Sequence, residues 1–241
     1  MTRFTSTIAV VTGGSRGIGF ATAMRFLQEG ATVAVLGTRD ETLREAHDRL
    51  AAAGNEARVG TWRCDVRDAQ AVAAAFDGIV GRFGGIDVLV NSAGIGRFAP
   101  VEEMTLDDFR AVLDTNVAGV FHACQAAIPH MKRRGRGWIV NISSLSSTGP
   151  FPKGAAYCAS KAAVNAMTDA LLQEVRYDGI RVSCVLPGSV NTTFGGHAST
   201  KADWALMPED VAEAIVDLVA HPSRSLPSRL EIRPAQPQRK G

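Results

Sequence analysis

Short apolar runs alternating with much longer helical stretches are the feature that most narrows the folds open to this chain. Ile8-Ala9-Val10-Val11, Thr32-Val33-Ala34-Val35-Leu36, Ile86-Asp87-Val88-Leu89-Val90, Trp138-Ile139-Val140-Asn141-Ile142 and Ile180-Arg181-Val182-Ser183-Cys184-Val185-Leu186 read as strands. Near-continuous aliphatic character of this kind belongs to parallel strands buried on both faces. The intervening segments carry helix-boundary signals, with Asp40, Asp68 and Thr105 at N-cap positions and Gly30 and Gly179 at C-caps. Regular strand–helix repetition closes into a parallel sheet through right-handed crossovers. The expectation is therefore an α/β fold, a doubly wound parallel sheet with helices on both faces. With 241 residues, 46% of them hydrophobic, the chain can bury such a core as a single domain. That domain is assigned to residues 1–233, and the polar end, residues 234–241, to a disordered tail.

Charge excludes some partners. A net charge of +2 with 21% charged residues gives no bulk field for nucleic acid or a membrane surface. Cys64, Cys124, Cys158 and Cys184 are scattered without a C-x-x-C pair, so reduced buried thiols are expected and no metal site. Met1 to Thr7 form no charged-then-apolar leader and no apolar stretch approaches membrane-spanning length, so a cytoplasmic location is expected.

Ligands of doubly wound sheets bind beyond the carboxyl ends of the strands. Directly after the first strand comes Thr12-Gly13-Gly14-Ser15-Arg16-Gly17-Ile18-Gly19, opening a helical segment. Backbone N–H groups at a helix N-terminus bind anions, and glycines let the main chain approach a pyrophosphate. The spacing G-x-x-x-G-x-G differs from the common G-x-G-x-x-G fingerprint, so by itself it indicates a phosphate-binding βα turn. Asp65-Val66, Asn91-Ser92-Ala93-Gly94, Ser143-Ser144 and Pro187-Gly188 follow later strands and gather on the same edge. Tyr157 and Lys161, four residues apart in an alanine-rich helical stretch, share one helix face. A lysine held near a phenol favours the phenolate and lowers the tyrosine pKa, which suits proton transfer near neutral pH.

Taken together these residues resemble the short-chain dehydrogenases/reductases, in their short single-domain branch with a Rossmann-like sheet. The resemblance rests on Thr12-Gly13-x-x-x-Gly17-x-Gly19, Asp65-Val66, Asn91-x-Ala93-Gly94, Asn116, Ser144, Tyr157-x-x-x-Lys161 and Pro187-Gly188-x-Val190-x-Thr192, running from residue 12 to residue 192. Ser92 stands where the family usually has a second asparagine. Leu230-Glu231-Ile232-Arg233-Pro234 replaces the usual glycine-rich C-terminal strand, which puts the family's C-terminal subunit contact in doubt.

The resemblance implies a hydride-transferring carbonyl/alcohol oxidoreductase. Tyr157 would be the general acid or base. Lys161 would depress its pKa and bind the nicotinamide ribose, Ser144 would hydrogen-bond the substrate oxygen, and Asn116 would hold a water of the proton relay. Ser143 is the rival for the serine role and is assigned to supporting the strand end. The cofactor-binding set implied is Gly13, Ser15, Arg16, Gly17, Ile18, Gly19, Thr38, Arg39, Asp65, Val66, Asn91, Ala93, Gly94, Tyr157, Lys161, Pro187, Gly188, Val190 and Thr192.

An NAD enzyme carries a carboxylate at the end of the second strand, where this chain has Gly37. Arg16 with Arg39 or Thr38 would instead meet a 2′-phosphate, giving NADP(H) as the expected cofactor, with Asp40 as a competing ribose partner. A lid is expected over about residues 192–207, containing Phe194, Gly195, Gly196, His197 and Trp204. Phe98, Leu145 and Phe151 would add apolar walls around a small carbonyl or alcohol substrate.

Lys132, Arg133, Arg134 and Arg136 complement a helix dipole or, with Arg176, form a docking patch for an acidic acyl carrier protein. The second reading makes a 3-oxoacyl-[acyl-carrier-protein] reductase the alternative function. A non-catalytic dinucleotide sensor ranks last, because Asn116, Ser144, Tyr157 and Lys161 are all present. Helices around residues 107–134 and 155–177 are the family's contact faces, implying a homodimer or homotetramer.

Overall fold

Strand positions with aliphatic side chains on both faces need covering from both sides, and the helices supply that cover. The computed structural model describes residues 2–194 and 204–237. Its strands are β1 (Ile8–Thr12), β2 (Thr32–Gly37), β3 (Val59–Arg63), β4 (Val88–Asn91), β5 (Gly137–Ile142), β6 (Ile180–Pro187) and β7 (Arg229–Ile232). The helices are α1 (Gly17–Gln28), α2 (Asp40–Ala53), α3 (Ala69–Phe83), α4 (Leu106–Leu113), α5 (Gly119–Arg134), α6 (Ala155–Val175) and α7 (Pro208–Val219). Every pairing is parallel, in the order β3-β2-β1-β4-β5-β6-β7. Expected strand limits and observed ones agree to within a residue or two.

Alternation along β2 shows how the two faces are filled. Val33 and Val35 join Phe20, Phe26, Leu43, Leu50 and Ile215 of α1, α2 and α7, whereas Ala34 and Leu36 join Phe76, Ile79, Met131 and Val164 of α3, α5 and α6. Burying an aliphatic side chain of this size contributes about 1.5–3 kcal/mol, so each face is an independent source of cohesion. Two of the expected caps form: Asp68 accepts from the N–H groups of Gln70 and Ala71, and Thr105 accepts from Asp108. The third does not. Arg39 occupies the cap of α2 and Asp40 is already helical, its carboxylate held by Arg63 at 3.2 Å. The helix thus opens one residue earlier than Asp40 as cap would allow.

Polar side chains also cross the sheet interior. Asn91 donates to Asn141 at 2.8 Å, Asn141 donates to Thr168 of α6 at 2.9 Å, and Trp138 donates to Ser183 at 3.0 Å. The tail expected from residue 234 falls partly outside the described residues. Within them, Pro234 and Pro237 line a cleft shared with the glycine turn.

Candidate active site

Strand order reverses between β1 and β4, and at that switch point their carboxyl ends diverge to open a crevice. Thr12, at the end of β1, bridges the split by accepting from the N–H groups of Ser92 and Ala93, both at 3.2 Å. Gly13 follows at φ 62°, and a Cβ there would stand 2.7 Å from the Ala93 backbone. Glycine at this position is thus fixed by conformation and by close approach together. The chain then enters α1, whose first N–H groups face the crevice without a side-chain cap.

The resulting cleft has a volume of about 1250 Å³, more than the roughly 300–1,000 Å³ of a single-ligand pocket. Gly13, Ser15, Arg16, Gly17, Ile18 and Thr38 of the glycine turn and the end of β2 line it, with Asp65, Val66, Ala93 and Gly94. Ser144, Tyr157, Lys161, Pro187, Gly188, Val190 and Thr192 line it too, with Thr192 close to Gly17 and Lys161 close to Gly94. Several expected residues are not brought to this lining. Gly19 lies beneath the turn, where a Cβ would meet the Gly13 carbonyl oxygen at 2.5 Å. Arg39 is exposed at the start of α2. Asn91 is buried, spending its amide on Asn141 and on the Cys124 thiol.

Asn116 sits in a π-helical segment, Asp114–Ala118, between α4 and α5. Its side chain accepts from the Ile95 N–H at 2.8 Å and donates to the Ile95 carbonyl at 2.9 Å and to Ser160 at 3.0 Å. It therefore braces the loop after β4 against α6. Of the two serines after β5, Ser143 donates to the Lys161 carbonyl at 3.0 Å, and Ser144, extended and 8% exposed, faces the cleft.

Tyr157 and Lys161 lie one turn apart on α6, with the Lys161 Nζ 5.8 Å from the phenol ring centroid. Lys161 donates to the Ile142 carbonyl at 2.8 Å, and burial pushes its pKa down from 10.5 to about 8. The depressed tyrosine pKa expected from the sequence is corrected here. Burial pushes the Tyr157 phenol upward, and a hydrogen bond from Ser144 offsets this only in part. Lys161 is buried and Tyr157 half-buried, and desolvation of each charged form outweighs their proximity.

Sequence reasoning overlooked two features of the cleft. Arg67 clasps Asp65 with both ends of its guanidinium, at 2.6 and 3.0 Å, and the pairing holds the Asp65 carboxyl below its ordinary range. Arg233, with Pro234, comes to the lining from the end of β7. The rule used for the other strands, to look just beyond the carboxyl end, would have found them. Of the expected lid, Phe194 and Trp204 line the cleft, whereas Gly195, Gly196 and His197 lie outside the described residues.

The basic cluster occupies the last turn of α5, where cations complement the helix dipole, and Arg136 just beyond it. Lys132 pairs with Asp178 at 2.8 Å, and Arg134 and Arg136 both pair with the buried Asp87, at 3.1 and 2.9 Å. Lys132 and Arg136 stay exposed while so paired, and Arg133 reaches His130. No helix among the described residues is long and apolar enough to cross a membrane.

Comparison with known proteins points the same way as the geometry. The chain is 39% identical over 185 residues to a 3α-hydroxysteroid dehydrogenase of Mediterraneibacter gnavus, covering 77% of this chain and 74% of that protein. Among solved structures it is similar to an alcohol dehydrogenase of Thermococcus sibiricus complexed with 5-hydroxy-NADP, with a TM-score of 0.88, 28% identity and coverage of 98% and 99% of the two chains. A metagenomic short-chain oxidoreductase in complex with NADP gives a TM-score of 0.86 at 34% identity, over 97% of this chain and all of that one. Residues 7–203 match the family described as short chain dehydrogenase. With its parallel sheet, its glycine turn and its Tyr157–Lys161 pair, the chain belongs to the short-chain dehydrogenases, and it is an oxidoreductase.

Proposed function

We propose that the protein interconverts a carbonyl and an alcohol using NADP(H), with Tyr157 as general acid and base. The observation that carries this reading is the Ser144–Tyr157 hydroxyl pair beside Lys161, facing the same cleft as the glycine turn. The chain fits the dinucleotide. A Cβ on Gly17 would project into the cleft with only Thr192 as neighbour, at 3.6 Å, so this backbone is open to a phosphate. Position 37 offers no carboxylate, Asp40 is held by Arg63, and Arg16 makes no ion pair among the described residues. Arg16 and Thr38 would hold the 2′-phosphate and Lys161 the nicotinamide ribose. The NADP complexes of the similar structures support the same choice.

When bound, the nicotinamide supplies or accepts a hydride. Everything else is done by the chain. Ser144 positions the substrate oxygen, and Tyr157 gives it a proton as negative charge develops there. Because burial keeps the Tyr157 phenol protonated at neutral pH, it stands in the acid form that carbonyl reduction requires. Alcohol oxidation needs the phenolate and should rise toward alkaline pH. A symmetric oligomer remains part of the proposal, supported by the exposed Leu106, Phe109 and Phe121 of α4 and α5.

NADPH oxidation over a panel of aldehydes, ketones, β-keto esters and 3-oxoacyl thioesters tests the reading. In the responding reaction Tyr157→Phe should lower kcat roughly 10²- to 10⁴-fold with cofactor affinity nearly unchanged. Retention of more than about half the activity would refute the acid role.

A further inference from the structure

Tyr157 stands inside a group of phenylalanines that proton transfer does not require. The Phe98 ring lies 5.7 Å from it, edge-on at 68°, and the Phe194 ring 5.5 Å away at 57°. Phe151 follows at 5.8 Å from Phe98. All three line the cleft, yet Phe98, Phe151 and Phe194 are 46%, 41% and 43% exposed. Two half-open rings against the Tyr157 ring, and a third against Phe98, form an apolar wall inside a cavity. The backbone is shaped to admit them. A Cβ on Gly96 would stand 2.6 Å from the Phe98 ring and 2.8 Å from the Phe194 ring, and one on Gly154 would stand 2.7 Å from Phe151.

The cations that border this collar are already engaged. Lys161, 5.8 Å from the Tyr157 ring centroid, is turned to the Ile142 carbonyl, and Arg233 is tied to Glu231 at 2.6 Å. Arg16 lies at the glycine turn. Against these rings a polyhydroxylated substrate would leave the ring faces wet or desolvate the hydroxyls turned to them, and both are costly. A flat ring gains instead, because aromatic pairs favour edge-to-face and offset contacts at 4.5–7 Å, the spacing these side chains already hold among themselves.

We propose that the substrate is an aryl ketone or aryl aldehyde and that Phe98 and Phe151 select it by stacking against its ring. This rests on the oxidoreductase reading above and specifies its substrate class. The reacting carbonyl reaches Ser144 and Tyr157 while the ring stays in the collar.

The test is the ratio of kcat/KM for reduction of acetophenone to that for hydroxyacetone, measured with NADPH for the wild type, Phe98→Leu and Phe151→Leu. Leucine keeps apolar bulk and removes the ring, and both positions are exposed enough to accept it without loss of the fold. Wild type should favour acetophenone at least about tenfold, and each variant should lower the ratio by roughly 2- to 10-fold, mainly through the KM for acetophenone. Preference for hydroxyacetone by the wild type, or a ratio unmoved in both variants, overturns the aryl assignment and leaves the oxidoreductase reading standing. Absence of turnover with every carbonyl compound overturns both.

Discussion

Replacing Lys161 with methionine should produce a more stable protein that no longer turns over. The side chain is 6% exposed and has the Ile142 carbonyl, at 2.8 Å, as its hydrogen-bond acceptor. Burial brings its pKa from 10.5 to about 8. A displacement of that size disfavours the charged form by about 3 kcal/mol. Below pH 8 both folded and unfolded chains carry the proton, so this cost is fully present. Between pH 8 and 10.5 the folded protein releases the proton while the unfolded chain keeps it. The unfolded state then binds more protons, and stability rises with pH across that window.

Methionine fills a similar volume without charge and leaves the buried Ile142 carbonyl without this donor, about 1–3 kcal/mol. The variant should therefore be more stable than wild type by up to about 2 kcal/mol at pH 7, with the difference vanishing or reversing by about pH 10. Urea denaturation of both proteins at pH 7, 8.5 and 10 measures it. A variant less stable than wild type at pH 7, or a gap that does not narrow as pH rises, would refute the argument. Stability gained as activity is lost would identify Lys161 as a residue kept for function.

Arg16→Ala should weaken NADPH binding on the order of 10- to 100-fold and affect NADH far less, as read by fluorescence titration with both cofactors. Tighter binding of NADH by the wild type, or equal losses for both cofactors, would show that another group reads the ribose. Asp87→Asn should cost about 2–4 kcal/mol in thermal or urea unfolding, because the buried carboxylate serves the Ile8 N–H, Arg134 and Arg136 together. A loss below about 1 kcal/mol would mean that solvent screens both pairs.

The sheet was legible because its signal is local: a run such as Trp138–Ile142 carries its length, its aliphatic character and its turn residues within a few positions. The glycine turn and the Tyr157–Lys161 pair were legible for the same reason. What escaped depends on contacts between distant segments. Arg134 and Arg136 were read against the helix dipole or a docking partner because Asp87, nearly fifty residues earlier, gives no local sign that it will lie between them. Asn91 was read as a ligand of the cleft, but its direction is set by pairing with Asn141 on the neighbouring strand. The raised Tyr157 pKa comes from burial, which spacing on a helix does not report. Asp40 was read as the cap of α2, but Arg39 takes that place and Asp40 pairs with Arg63 of β3, a contact the local sequence does not report.

The amide chain through Asn91, Asn141 and Thr168 has a consequence for how the sheet assembles. Neighbouring aliphatic strands have many nearly equivalent offsets, since Val, Ile and Leu replace one another with little loss. Asn91 and Asn141 are direct partners across β4 and β5. A slip of one residue would turn one of them to the opposite face, and a slip of two would carry them about 6–7 Å apart. Each buried amide then left without a partner costs about 1–3 kcal/mol, whereas the bond when made contributes only about 1 kcal/mol net. On the other side of β5, Trp138 and Ser183 set the same condition against β6. These contacts therefore act mainly on states the protein does not occupy, removing misaligned sheets from competition and fixing the offset at which β4 and β5 deliver the loops of the active site.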